Sequence, residues 1–116
     1  MKKTLVISSV IMYLLSSCTS STPACDIPEG ISYNNGISTI IKENCFNCHS
    51  PEKYKVKGGR IKLYDEKALK KLGEDGTLMG ALNHKRGYVA MPYKKGVKLD
   101  SCVRVVLQSW VDGGCK

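Results

Sequence analysis

The chain has 116 residues and 6 cysteines, with 18 Lys and Arg against 10 Asp and Glu, for a formal net charge of +8. That length leaves room for one small domain rather than two cores, and a domain this small is marginally stable on its own apolar surface, so a staple or a cofactor is expected. The basic balance favours anionic partners, and an exported chain, as argued next, has no nucleic acid to meet.

Met1-Lys2-Lys3 is a short basic stretch, and residues 5–15 form an apolar run too short to span a bilayer permanently. Together they read as an export signal. The run ends in Leu15-Ser16-Ser17-Cys18, which looks like a bacterial lipobox, with small residues for the peptidase and a cysteine to receive lipid. On that reading residues 1–17 are the signal peptide, Cys18 becomes the lipidated N-terminus, and residues 18–30 are a polar tether. The plainer alternative is an ordinary signal peptide cleaved nearby. Loss of Lys2 and Lys3 lowers the basic count from 18 to 16 against 10 acidic residues, leaving +6. The expected location is the periplasmic side of a bacterial membrane, held by the lipid.

Residues 31–116 make the folded domain, and their pattern predicts helices and turns with no convincing sheet. Asn35 is placed to cap a helix carrying Ile37, Ile40 and Ile41 on one face, with Cys45 continuing that face. The basic stretch over residues 50–60, with Gly58-Gly59, reads as a loop, followed by a short extended piece at Ile61-Lys62-Leu63. Residues 65–72 read as a helix stopped by Gly73, and residues 77–83 as a second short helix capped by Thr77. In the last segment Asp100 or Ser101 caps a helix. There Val103, Val106, Leu107, Trp110 and Val111 recur at i, i+3, i+4, i+7 and i+8 before Gly113-Gly114 ends it.

The first of these helices runs into Glu43-Asn44-Cys45-Phe46-Asn47-Cys48-His49. Cys-x-x-Cys-His suits covalent haem attachment: two thiols spaced to add to two vinyl groups on one porphyrin edge, then an imidazole to bind iron. Such attachment takes place outside the cytoplasm, in agreement with the export signal. The sixth iron position needs a downstream ligand, and Met91, ahead of Pro92 in the loop before the last helix, offers a thioether on restricted backbone.

With these residues in place, the chain resembles a single-haem, class I cytochrome c. It is similar in particular to small lipid-anchored bacterial cytochrome c domains. The resemblance runs from about Ile31 to Gly114. It rests on YNNGISTIIKENCFNCHS, GGRIKLYDEKALKK, GALNHKRGYVAMP and KLDSCVRVVLQSWVDGG. It implies an all-α cytochrome c fold of about four short helices wrapped around one covalent haem c, with the first helix crossing the last. It implies Cys45 and Cys48 as thioether sites, and His49 and Met91 as axial iron ligands. Arg104 departs from the pattern, where an aliphatic residue is expected. The function implied is electron transfer between donor and acceptor proteins with acidic docking surfaces, with no substrate transformed. With one Trp and one Phe to fill the space of a porphyrin, the haem-free chain is expected to be largely unfolded.

Each site residue has a competitor or a plainer role. Met79 also lies downstream, but a methionine at helical spacing is usual core filler. His84 is the alternative distal ligand and would give a lower-potential bis-histidine centre; otherwise it belongs near a propionate or in loop hydrogen bonding. Trp110 and Tyr88 suit core or haem packing, with polar tips available to a propionate. Lys94 and Lys95 suit either steering of an acidic partner or plain solvation.

Cys25, Cys102 and Cys115 remain. A helix over residues 102–112 separates Cys102 from Cys115 by roughly 15 Å of axis, beyond the ~7 Å Cα limit of a disulfide. Cys25 then pairs with one of the two. The resemblance favours Cys25 with Cys102, leaving Cys115 free or joining two molecules.

Other readings of the motif are a haem-bearing subunit or sensor module of a larger redox complex, an exported thiol-disulfide oxidoreductase, and a zinc site. The oxidoreductase would want a strand before Cys45 and alternating βαβ structure. Zinc would have to gather Cys45, Cys48, His49 and His84 as four ligands, and adjacent Cys48 and His49 are awkward for one tetrahedron.

Overall fold

The computed structural model describes residues 24–116. The expected signal peptide, the lipidation site Cys18 and the tether as far as Pro23 lie outside the described residues. Those described contain four helices and no strand: α1 Ile37–His49, α2 Glu66–Glu74, α3 Thr77–Leu82 and α4 Ser101–Asp112. None is long and apolar enough to cross a membrane.

The last helix follows its sequence pattern most closely. Asp100 caps α4, its Oδ1 accepting from the N–H of Cys102 at 2.8 Å and of Val103 at 3.3 Å. These are donors that a helix start leaves without partners. Val106, Leu107 and Trp110 are buried, with Val103 and Val111 packed beside them. The helix stops at Gly113, after which Gly114 turns left-handed at φ 85° and the Cys115 N–H returns to the Trp110 carbonyl.

The other helix ends depart from expectation for identifiable reasons. Asn35 does not cap α1. Its amide points backward and donates to the carbonyls of Glu29 and Gly30, and the cap position falls to Gly36 at φ 106°. Nor does Gly73 stop α2, which is capped by Asp65 through the Ala68 N–H and continues to Glu74. Gly73 is buried, and a Cβ there would lie 2.7 Å from Cys115 Sγ, so this glycine serves a close approach rather than a helix end. Thr77 is the first residue of α3, not its cap. The cap is Gly76, in the left-handed region, and the Thr77 N–H donates to Asp75 Oδ1 at 2.9 Å.

α1 packs on α4, and α3 packs on both α2 and α4. Their inward residues form one core: Ile37 and Ile41 of α1, Leu69 of α2, Leu78, Met79 and Leu82 of α3, and the α4 stripe. Arg104 does not enter this core. It donates from Nε to the Leu99 carbonyl and from Nη1 to Asn83 Oδ1 at 2.8 Å, tying α4 to the end of α3.

Lys116 meets the segment just before α1. The Lys116 carbonyl accepts from both the Tyr33 N–H at 2.9 Å and Trp110 Nε1–H at 2.8 Å. The polar tip of Trp110 is therefore already partnered, contrary to the expectation that it is available to a propionate. Cys25 and Cys102 form a disulfide with their Cα atoms 5.1 Å apart, the pairing the resemblance implies. Cys115 is a free thiol, 1% exposed, packed against Gly73. The expectation that it joins two molecules needs an accessible sulfur, and this one is buried.

Candidate functional site

The Cys-x-x-Cys-His motif occupies the last turns of α1. Cys45, Cys48 and His49 stand at i, i+3 and i+4, so their side chains share one helix face. Cys45 continues the stripe of Ile37 and Ile41 and packs against the core. Both thiols are unpaired and partly buried. Burial pushes the Cys45 thiol up to about 11. A reactive redox dithiol shifts the opposite way, toward the anion. Among the described residues, no three or more His, Cys, Asp and Glu are grouped so as to hold a metal ion, so Cys45, Cys48, His49 and His84 do not assemble the zinc set.

His49 is 7% exposed, and its Nδ1 lies 3.2 Å from the carbonyl oxygen of Ile61. A carbonyl only accepts, so Nδ1 donates to it, which leaves Nε2 as the nitrogen that can offer a lone pair. That is the arrangement of a histidine whose second nitrogen binds metal.

The segment that supplies the Ile61 acceptor is more ordered than a basic loop suggests. Turn hydrogen bonds run from Tyr54 N–H to the Ser50 carbonyl, from Lys57 N–H to that of Lys53, and from Gly58 N–H to that of Tyr54. Gly58 is buried against the motif. A Cβ there would lie 2.6 Å from the Cys48 carbonyl oxygen and 2.8 Å from His49 Nδ1. Sequence reasoning saw Gly58-Gly59 only as a loop signal. The glycine pair was the one hint that backbone must approach the motif closely here.

Met91 lies in the loop between α3 and α4, half-buried, and borders the same apolar core as Cys45, Phe46 and Leu99. Its N–H donates to the Ala81 carbonyl at 3.0 Å, and its own carbonyl oxygen is 2.9 Å from His84 Nε2. His84, the alternative to Met91 in the sequence, thus contacts Met91 directly. Met79 is 7% exposed, within the core of α3. The Tyr88 ring lies over Gly80, where a Cβ would come within 2.7 Å of it. Lys94 and Lys95 are exposed, and Lys94 Nζ sits 5.2 Å from the centre of the Tyr93 ring.

No family model matches this chain, and no curated protein or solved structure matches it.

Proposed function

We propose that this chain is an electron carrier, a single-haem class I cytochrome c exported and tethered to a membrane through lipid on Cys18. The observation that carries the reading is the buried His49 imidazole. It directly follows two unpaired thiols on one helix face, and its Nδ1–H is committed to the Ile61 carbonyl. The donor set fits a covalent haem: two thiols for thioether bonds, one imidazole nitrogen with a free lone pair, and a half-buried thioether at Met91 bordering the same apolar core.

Bound there, haem c supplies a one-electron ferric/ferrous couple. The chain contributes the rest. Cys45 and Cys48 would hold the haem by thioether bonds, and the Ile61 carbonyl would orient the His49 ring and raise its basicity toward iron. Met91 would offer its thioether as a further ligand, and the core side chains bordering Cys45 and Met91 would keep water away. Exposed Lys94 and Lys95 give an acidic redox partner a basic surface to approach.

The test is the absorption spectrum, oxidised and reduced, of protein made in a cell that attaches c-type haem. Covalent low-spin haem whose sulfur-to-iron charge-transfer band disappears with Met91→Ala supports the carrier. Absence of covalent haem overturns it.

A further inference from the structure

The two residues that compete for the distal position in the sequence are partners in the structure. The Ala81 carbonyl, one residue before the end of α3, accepts from the His84 N–H at 3.2 Å and from the Met91 N–H at 3.0 Å. The Met91 carbonyl in turn faces His84 Nε2 at 2.9 Å. Met91 is thus held by its N–H on one side and its carbonyl on the other, and His84 closes the loop. The carbonyl can only accept, so Nε2 bears the proton and is committed to Met91. His84 adopts a left-handed φ of 54° just after the helix cap Asn83. Few side chains adopt that region readily, although histidine is among those enriched there. Within the loop, the Tyr88 ring lies on Gly80 and the Tyr88 N–H donates to the Lys85 carbonyl.

The geometry points to His84 as a positioning residue for Met91: it fixes the backbone from which the thioether projects and does not itself bind iron. This inference rests on the haem reading above. A single hydrogen bond sets the direction of the Met91 carbonyl, and with it the peptide plane next to the ligand. Releasing Nε2 to any other partner would free that carbonyl. Ligation through Nε2 is therefore incompatible with the observed placement of Met91, and ligation through Nδ1 is the alternative that the experiment separates.

The experiment uses the full chain exported from a haem-attaching host, as wild type, His84→Gln and His84→Leu. Glutamine keeps an N–H donor at a similar reach, whereas leucine keeps only bulk. Covalent haem content is measured first, then the sulfur-to-iron charge-transfer band of the ferric protein and the affinity for added imidazole. Expected is a full band in wild type and His84→Gln. His84→Leu should keep its covalent haem but show a weakened band and bind imidazole about tenfold more tightly, as loss of one hydrogen bond holding the ligand loop implies. A His84→Leu protein indistinguishable from wild type in band and imidazole affinity overturns the positioning role while leaving the haem reading intact. Loss of low-spin haem in both His84 variants but not in Met91→Ala overturns it by making His84 the ligand. Wild type without covalent haem overturns the haem reading and this inference with it.

Discussion

The Cys115 sulfur lies 2.7 Å from the point that a Cβ on Gly73 would occupy, with Val111 Cγ2 at 3.3 Å and Trp110 Cζ3 at 3.4 Å beyond it. The end of α2 and the turn after α4 therefore touch where only glycine fits. Alanine is intrinsically better than glycine in a helix by about 1 kcal/mol, yet Gly73→Ala is expected to destabilise by about 1–3 kcal/mol through overpacking. Adding Cys115→Ala should recover most of the loss, because it removes the nearest obstructing atom. Urea unfolding of protein from an exporting host decides this, and a Gly73→Ala chain as stable as wild type would show the contact to be loose.

Gly58→Ala meets firmer neighbours. Its Cβ would press on the Cys48 carbonyl, on His49 Nδ1 and on the Tyr54 Cα at 2.9 Å, none of them the end of a flexible side chain. The turn over residues 50–61 must move, and the His49–Ile61 hydrogen bond is expected to go with it. The expected cost is about 1–3 kcal/mol, together with a shift in reduction potential if His49 binds haem iron. Potentiometry beside urea unfolding checks both, and a destabilised variant with an unchanged potential would separate Gly58 from the imidazole.

Asp75 links stability to pH. The Thr77 hydroxyl and backbone N–H hold its carboxyl below the usual carboxylate range. A depressed carboxyl contributes stability at neutral pH and loses it as pH falls through its folded value. Asp75→Asn mimics the protonated form. The wild-type advantage over it should be present at pH 7 and vanish in acid, where both side chains are neutral. Urea midpoints at several pH values test this, and a constant gap would place the effect elsewhere.

The Cys25–Cys102 disulfide closes a long loop, with a sequence separation of 77. Chain entropy alone assigns such a bond about 4 kcal/mol. Replacing both cysteines by serine should lower stability by an amount of that order, and dithiothreitol should do the same to wild type. Insensitivity to reductant would mean that the bond does not form in the isolated protein.

What the sequence revealed and concealed divides along contact range. α4 was legible because its signals are local: an acidic cap, a stripe at helical spacing and a glycine pair. Asn35 misled because its amide found nearer carbonyls than the helix start, and Gly73 because its partner lies far along the chain. The Asn35 amide turned back to Glu29 and Gly30, and Gly73 stayed helical because Cys115, far along the chain, needs its missing side chain. Arg104 looked out of place where an aliphatic residue was expected, until Asn83 appeared opposite it. At the candidate site the motif residues were plain from their spacing. Their supports were hidden, because the carbonyls of Ile61, Ala81 and Met91 are backbone groups that every residue carries.

The disulfide also sets a distance. Cys18 precedes Cys25 by seven residues, and a fully extended chain covers at most about 3.5 Å per residue. On the proposed lipidation, those residues would let the folded body stand at most about 25 Å from the lipid, measured to the start of α4. Were the bond reduced, the first residue packed against the core would be Ile31, and that limit would rise to about 45 Å. The redox state of one covalent bond would then govern how far from the bilayer this protein can reach and which of its sides can turn toward a partner.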